Sequence, residues 1–415
     1  MIKKKVLNWV KRFDTFCFLD NHLYQIHPHT QECLVGAGLG SGPYTGPGIS
    51  RLDGFLEGQK GNWIFGHLSY DLKNEIESLH SSHPDHILFP DIFFFRPEIL
   101  ISINEKELSI ECRDPGLVFR EISRSPVEIS GFSGAPVKIS NRIRQDEYLS
   151  IIRILKHHIL RGDCYEINFC QEFFCEQTHI NPLEVYYRLI EISPNPFSAL
   201  YRLGDKWLIC ASPERYLKKS GERILSQPIK GTSKRILEDR HLDGMSREHL
   251  LHSQKEKSEN VMVVDLVRND LAKICSEGTV KVDELFGVYS FPQVHQMIST
   301  ISGDLEEGIT FCDIIRASFP MGSMTGAPKL RVMELIEKYE KTRRGIFSGA
   351  VGYFSPDGDF DFNVVIRSIM YNAKSGYLSF QTGSGITFGS DPQQEWDECQ
   401  LKAEAIRKVI CTPGY

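Results

Sequence analysis

The sequence has no long apolar run. No segment approaches the ~20 consecutive apolar residues that a membrane-spanning helix requires. The N-terminal stretch MIKKKVLNWVKRFD has a basic head, but its apolar part ends at Lys11 and Arg12 and is too short for a signal peptide. We therefore expect a cytoplasmic protein without a membrane partner.

Paired cysteines are also missing. The eleven cysteines are scattered, odd in number and never in a CxxC arrangement. This excludes a zinc knuckle and a closed set of disulfides as the basis of the fold. A reduced, cytoplasmic chain is the plain interpretation.

An excess of basic residues is absent. The chain has 48 Lys and Arg against 54 Asp and Glu, a net charge of −6. Nucleic-acid binding usually requires a basic surface, so no nucleic-acid partner is expected. With 415 residues, 41% hydrophobic and 25% charged, the composition is that of a globular protein with a large core. Local charges must therefore meet any anionic ligand.

Two glycine-based motifs are missing. The cluster GAGLGSGPYTGPG at 36–48 does not fit G-x-G-x-x-G, and its prolines stand where a helix should open, so it predicts a flexible turn instead of a dinucleotide loop. A G-x-C-x-G glutaminase elbow is also absent, since Cys33 in ECLVGAG does not fit it.

The pattern of the chain changes near residue 140. Residues 1–120 alternate as short strands, and 121–142 are rich in Pro, Gly and Ser without helical periodicity. Beyond Asp146, strands mix with helices predicted at about 247–273, 325–341 and 392–410. We predict an α+β fold of mixed or antiparallel sheets layered with helices. A strand-rich N-terminal region with its connector (1–140) and a catalytic domain (141–410) would pack as one compact unit.

Two predicted helices carry glutamates three residues apart: Glu256 and Glu259, then Glu395 and Glu398. Each pair shares one helix face beside an apolar stripe. Two solvated acidic faces would explain either helix alone, and the helices need not face each other. If they do, four carboxylates require a cation, and oxygen ligands with an open position favour Mg²⁺.

A second set of residues is suited to anions. Thr325 precedes Pro328 at a predicted helix start, where free N–H groups attract a carboxylate. Gly383 and Gly385 in QTGSGITF would let a ligand approach the backbone. Arg367 interrupts the apolar, strand-like FNVVIRSIM and requires an acidic partner or an anionic ligand. A structural ion pair is the alternative for Arg367.

Three further titratable residues stand in strand-like segments. Lys230 lies in SQPIKGTSKR, Glu214 in CASPERYL and His295 in VHQMIST. Each residue alone has an ordinary structural explanation. Lys230 could extend to solvent, and Glu214 and His295 could be hydrogen-bonded groups in the core. Together they offer an acid, a base or nucleophile, and a third titratable group.

These segments resemble the ordered motifs of the chorismate-utilising enzymes, a family that includes anthranilate synthase component I and aminodeoxychorismate synthase component I. The similarity covers about residues 145–405, and the first 140 residues are similar only loosely. The segments that carry it are GDCYEINFCQEF, ASPERYL, PIKGTSKR, KSENVMVVDLVRNDLAKIC, FPQVHQMISTISG, SMTGAPKLRVMELIE, RRGIFSGAVGYFSPDGDFDFNVVIRSIM and GSGITFGSDPQQEWDECQLKA.

The lysine of PIKGT discriminates within this family, because anthranilate synthases typically have PIAGT. The resemblance therefore implies amination of chorismate by ammonia to 4-amino-4-deoxychorismate, on the route to p-aminobenzoate and folate. Since the chain has no glutaminase elbow, ammonia would come from a separate glutamine amidotransferase subunit or from solution. Anthranilate formation is the main alternative. A catalytically silent subunit that senses an amino acid through its N-terminal sheets is another.

The resemblance also implies residue roles. Lys230 would attack ring carbon C2, Glu214 would protonate the departing hydroxyl, and His295 would lie near the ring. Mg²⁺ would be held by Glu259 and Glu398, with Glu256 and Glu395 reaching it through water. Arg367 would hold the enolpyruvyl carboxylate and Lys402 would add positive charge. The remaining pocket residues would be Gly231, Thr232, Thr325, Gly383 and Gly385.

The chain departs from the family pattern at two positions. Glu166 stands where both synthases usually have glutamine and where water-adding members have lysine. It makes a water-adding reaction less favourable and bears on the path of ammonia. Phe347 in RRGIF replaces a tyrosine of many anthranilate synthases, which removes one hydrogen-bonding hydroxyl.

Overall fold

The computed structural model describes residues 2–24, 31–40, 42–46, 48–128, 137–291 and 294–411. The α-helices in these ranges are α1 Ile2–Val10, α2 Ile49–Gly58, α3 Lys73–Ile76, α4 Pro115–Arg124, α5 Gln145–Leu160, α6 Pro182–Ile192, α7 Arg240–His252, α8 Gln254–Leu271, α9 Phe311–Ser318, α10 Lys329–Tyr339 and α11 Pro392–Cys411. The strands are β1 Thr15–Asp20, β2 Cys33–Leu39, β3 Tyr44–Thr45, β4 Ile64–Leu68, β5 Ile92–Phe95, β6 Pro97–Ile103, β7 Leu108–Glu111, β8 Ser140–Asn141, β9 Glu166–Cys175, β10 Phe197–Leu203, β11 Lys206–Ser212, β12 Arg215–Ser220, β13 Arg223–Gln227, β14 Ile229–Lys234, β15 Lys281–Ser290, β16 Val294–Asp304, β17 Gly326–Ala327, β18 Ala350–Phe354, β19 Phe360–Asn363, β20 Ser368–Asn372 and β21 Tyr377–Ile386.

The strands form two antiparallel sheets. The first sheet runs in the order β17-β9-β21-β20-β11-β10-β1-β2-β6-β7, with β8 beside β9. The second runs β14-β16-β13-β12-β19-β18-β4-β5-β3, with β15 beside β16. With helices on the outer face of the first sheet, the architecture confirms the predicted α+β class.

Alternation along the strands builds two cores. On β1, Cys17 belongs to the core shared with the second sheet, whereas Phe16 and Phe18 belong to the core beneath helices α1, α5, α6 and α11. The sheets approach closely at Gly36 of β2, where a Cβ atom would lie 2.6 Å from the ring of Phe65. The prediction of a turn at 36–48 is therefore wrong for its first part, which is a buried strand. Positions 41 and 47 of the cluster lie outside the described residues.

Strands from the N-terminal region enter both sheets. β1 pairs with β10, and β4 pairs with β18, so each sheet joins a block of N-terminal strands to a block of later strands. The region is less purely stranded than expected, because α1, α2 and α4 also form there. Part of the predicted connector, 129–136, lies outside the described residues. The boundary at residue 140 stays a prediction.

Three local predictions need correction. The helix expected at 247–273 is two helices, α7 and α8, with Ser253 between them as the N-cap that accepts the Glu256 N–H. The helix expected from Thr325 begins at Lys329, after a short 3₁₀ turn and β17. Arg367 does not lie within a strand: it precedes β20 in the left-handed region, with φ of +49°. By contrast, α11 starts at Pro392 as predicted and ends one residue beyond the predicted bound, at Cys411.

Candidate functional site

Lys230 projects from an irregular stretch of β14. Ile229 pairs with Ile298 and Thr232 with Gln296, so two residues on β14 oppose one on β16. Such a bulge locally re-aims a side chain. Gly231 has φ of +93°, a conformation that glycine adopts without strain. A Cβ at Gly231 would also lie 3.1 Å from a carboxylate oxygen of Glu256.

The Lys230 amine ends against Glu166, the first residue of β9. Lys230 Nζ lies 2.7 Å from Glu166 Oε1, and the two side chains are 11% and 3% exposed. The other oxygen, Glu166 Oε2, is buried without a hydrogen-bond partner in the described part of the chain. Gly385 of β21 leaves room for the pair, since a Cβ there would lie 2.6 Å from Glu166 Oε1 and 3.0 Å from Lys230 Nζ.

The charge on Lys230 depends on its acidic neighbours. Burial lowers its pKa, but the negative charges of Glu166, Glu259 and Glu214 outweigh burial and hold the pKa above its ordinary value. Lys230 is therefore an ammonium in this state. It must lose a proton before it can act as a nucleophile.

Glu214 is an acid suited to neutral pH. It lies between β11 and β12 and is 4% exposed. Burial raises its pKa to about 7, against the opposing effects of the Ser323 hydroxyl, Lys230 and Arg367. Burial lowers the pKa of Arg367, and the charge of Glu214 offsets only part of this lowering. A carboxyl group with this pKa retains a proton to donate near neutrality.

The two acidic helix faces lie within electrostatic reach of each other. Burial raises the pKa of Glu256 on α8, and the charge of Glu398 on α11 raises it further. Glu259 is 8% and Glu395 is 2% exposed, so neither belongs to a solvated face. Burial raises the pKa of Glu259 to about 7, and Glu166 and Glu256 add to the rise. The alternative of two separate solvated faces does not describe this arrangement.

The carboxylates match a hard divalent cation in donor type and charge. Glu395 Oε2 is buried without a hydrogen-bond partner among the described residues. Burial lowers the pKa of the Lys255 ammonium, but the charges of Glu256, Glu259, Glu395 and Glu398 raise it on balance. Nevertheless, no three His, Cys, Asp or Glu side chains within the described ranges are close enough to hold a metal. The group fits the cation chemically, and its side chains would have to converge to bind one.

Lys402 connects α11 to the strand that carries the two pocket glycines. Its Nζ lies 2.8 Å from Glu398 Oε1 and donates to the Gly383 carbonyl oxygen at 2.9 Å. Burial raises the pKa of Glu398, but Lys402, Lys255 and Lys230 together outweigh burial and leave the pKa lowered. Because the Lys402 side chain is 48% exposed, it offers positive charge at the edge of the pocket.

The remaining predicted residues are placed differently. Thr325 is fully buried and its hydroxyl donates to the Met321 carbonyl oxygen at 3.1 Å, whereas Thr232 is exposed. The ring nitrogens of His295 contact Ser290 Oγ at 2.8 Å and Asp243 Oδ1 at 3.2 Å. His295 therefore belongs to a separate polar cluster, and its role near a bound ring stays a prediction.

Several residues that support the site were missed. Ser323 faces Glu214, and Asn168 Nδ2 donates to the Ser323 carbonyl oxygen at 2.7 Å. Arg344 is buried with Glu340 and also donates to the carbonyl oxygens of Met324 and Asn168 at 2.6 and 2.9 Å. A buried arginine signals such partners, but the sequence does not say which ones. Phe347, the departure noted above, packs in the core.

A separate cavity lies away from the Lys230 site. It measures about 660 Å³, and its walls include Trp63, Lys218 and Tyr353. None of the predicted site residues lines it. In the described residues no helix has both the length and the apolar character to cross a membrane.

Comparison with known proteins connects this geometry to a family. The family model for chorismate binding enzymes matches residues 49–408. Aminodeoxychorismate synthase component 1 of Bacillus subtilis is 31% identical over 361 residues, 83% of this chain and 76% of the relative. Anthranilate synthase component 1 of Thermus thermophilus is 33% identical over 359 residues, 84% of this chain and 77% of the relative.

A solved structure has the same fold. The crystal structure of anthranilate synthase component I from Streptococcus pneumoniae aligns with a TM-score of 0.73 and 27% identity, over 84% of this chain and 81% of that one. The sequence matches divide between two activities at similar identity, so they identify the family and leave the individual activity open. The chain belongs to the family of chorismate binding enzymes.

Proposed function

We propose that this chain is the component I of an aminodeoxychorismate synthase, which converts chorismate and ammonia to 4-amino-4-deoxychorismate for p-aminobenzoate and folate synthesis. The observation that carries the proposal is the buried Lys230 amine, 2.7 Å from Glu166 and under the charges of Glu214 and Glu259. A lysine that only served solubility would extend to water.

The reaction divides into two substitutions. Lys230 attacks ring carbon C2, the ring double bond shifts, and the C4–oxygen bond breaks as Glu214 gives its proton to the departing hydroxyl, which leaves as water. Ammonia then attacks C4, the double bond shifts back, and the bond between C2 and Lys230 breaks. A covalent intermediate thus replaces one difficult displacement by two easier ones.

The dianionic substrate requires positive charge around it. Mg²⁺, held by Glu259 and Glu398 with Glu256 and Glu395 reaching it through water, would neutralise the ring carboxylate. Arg367 would pair with the enolpyruvyl carboxylate, and Lys402 would add charge at the rim. The backbone at Gly231, Gly383 and Gly385 would leave room for the ring.

Ammonia would arrive from a separate glutamine amidotransferase subunit in the cytoplasm. The chain has no G-x-C-x-G elbow of its own. Added ammonium should therefore support turnover by the isolated chain, and glutamine alone should not.

Identification of the product tests the proposal. Purified chain is incubated with chorismate, ammonium and Mg²⁺, and the products are separated by chromatography. We expect aminodeoxychorismate to accumulate. Absence of any amination, together with failure to bind chorismate in calorimetry, would favour a silent binding subunit.

Anthranilate synthesis is the second candidate. It is favoured by the similar identity of relatives with that name, such as the one from Thermus thermophilus. That reaction eliminates pyruvate after amination, and a substrate bound through Lys230 disfavours it. Fluorescent anthranilate as the main product in the same incubation would select this candidate.

A further inference from the structure

The carboxylate of Glu166 is an unusual partner for Lys230. One oxygen accepts a hydrogen bond from the Lys230 ammonium at 2.7 Å. The other oxygen is buried without a hydrogen-bond partner in the described part of the chain. An unsatisfied buried carboxylate oxygen costs stability, so a structural ion pair would normally be completed. A glutamine at 166 could accept a hydrogen bond through its amide oxygen, but it could not take up a proton.

Other charged groups around Lys230 have different positions. Glu214 lies between β11 and β12 and interacts electrostatically with Arg367 as well as with Lys230. Glu259 lies on α8 near Glu256 and Lys255. Of these carboxylates, Glu166 is the one with a hydrogen bond to the Lys230 Nζ in the described structure. It therefore holds the amine and is nearest to its proton.

We propose that Glu166 is a positioning residue that orients Lys230 and accepts its proton as the amine attacks the substrate. This inference rests on the proposed function and extends it. Its basis is the ion pair across the bulge of β14, the room left by Gly385 and the incomplete hydrogen bonding of the carboxylate.

The proton balance closes over one cycle. A proton passes from the Lys230 ammonium to Glu166, the neutral amine forms its bond to C2, and Glu214 supplies the proton with which the C4 hydroxyl leaves as water. Ammonia then forms its bond to C4 and the bond from C2 to Lys230 breaks. The new C4 ammonium returns a proton to Glu214, and Glu166 returns its proton to Lys230. The sum is chorismate plus ammonia giving aminodeoxychorismate plus water.

The test measures the first half of the reaction alone. Full-length enzyme is mixed with chorismate and Mg²⁺ without ammonia, and intact-protein mass spectrometry follows an adduct of chorismate less water. We expect Glu166→Gln to slow adduct formation about 10²-fold at neutral pH, the range of a single proton-transfer group. The deficit relative to the wild type at the same pH should shrink as the pH rises, because solvent can then deprotonate the lysine. Glu166→Asp should restore part of the rate at neutral pH.

Glu172→Gln is a matched control. Glu172 is also buried on β9 and pairs with Arg142 at 2.9 Å. This variant should lose stability but keep the wild-type pH profile of adduct formation. Equal rates and equal profiles in wild type and Glu166→Gln would overturn the inference while leaving the proposed function intact. If wild type aminates chorismate but never forms the adduct, the covalent route of the proposed function fails instead.

Discussion

Two buried ion pairs next to β9 differ in how completely they are bonded. Arg344 donates to both oxygens of Glu340, at 2.6 and 3.0 Å, and to the carbonyl oxygens of Met324 and Asn168. Glu340 also accepts the N–H of Cys170 at 2.8 Å. Lys230 and Glu166 share one hydrogen bond, and one oxygen of Glu166 has no partner in the described residues.

Under the proposed function, this difference is expected to separate a structural pair from a reactive one. A buried charge pair contributes to a unique fold when its hydrogen bonds are complete. A pair whose carboxylate can still accept hydrogen bonds, in a pocket with excess negative charge, can exchange a proton or receive a ligand. The contrast predicts that changes at one pair should affect mainly stability and changes at the other mainly turnover.

The largest effect should follow from Lys230→Ala. We expect turnover at fixed ammonium to fall by more than the ~10²- to 10⁴-fold that a single acid or base supplies, because the nucleophile itself is lost. Steady-state rates of aminodeoxychorismate formation measure the loss. Lys3→Ala, which removes a lysine paired with Asp20 at 2.8 Å, is the control and should keep its activity. An unchanged rate in Lys230→Ala would return Lys230 to a structural role.

Arg344→Met should produce the largest loss of stability. It leaves the Glu340 carboxylate and two carbonyl oxygens buried without their donor. Breaking such a pair costs about 3–5 kcal/mol of unfolding free energy. Denaturant titration should show a larger loss for this variant than for Lys230→Ala. If the order is reversed, the distinction between the two pairs is wrong.

Glu214→Gln should slow turnover about 10²- to 10⁴-fold through loss of the acid. In the wild type, the rate should decline as pH rises through about 7, where Glu214 loses its proton. The variant should lack this limb of the profile. Initial rates across pH, with ammonium held saturating, provide the measurement. A limb that persists in the variant would assign it to another group.

Glu214 should also make stability depend on pH. Burial raises its pKa from 4.5 to about 7, so the folded protein retains a proton that the unfolded chain releases. Stability from this group is complete below about pH 4.5 and is lost as pH rises to about 7, by up to about 3 kcal/mol. The free energy of unfolding is measured by denaturant titration below, within and above this pH window. It should depend less on pH in Glu214→Gln than in the wild type. A wild-type curve that rises with pH in this interval relative to the variant would contradict the sign.

The smallest effect on stability should come from Lys402→Met. The pair of Lys402 with Glu398 is half exposed, and such pairs contribute about 0–1 kcal/mol. Thermal unfolding should therefore change little. A loss of stability as large as that of Arg344→Met would show that the exposure of an ion pair does not determine its contribution to stability here.

Parts of the site could be predicted from local sequence. The proline at the helix start and the apolar stripe beside the two glutamates predicted α11. The residues of that stripe are buried, as expected: Trp396, Cys399, Ala403 and Ile406. The conformations of Arg367 and Thr325 could not be predicted. The apolar neighbours of Arg367 are typical of a strand, and those of Thr325 are typical of a helix start. Only tertiary contacts impose the bends that are found there. The break at Ser253 was missed although serine is a favoured N-cap residue, because the residues from 252 to 260 are all polar and no apolar periodicity marks where one helix ends and the next begins.

The sequence by itself determined the family, the class of fold and the residue types that can carry the chemistry, because these depend on motifs and on the periodicity of short segments. Only the tertiary structure decided which charges meet. Glu166 and Lys230 are 64 residues apart and belong to different sheets, and α8 and α11 approach from distant parts of the chain. Such contacts follow from strand order and sheet packing, and these place β14, β21 and β9 around one buried amine.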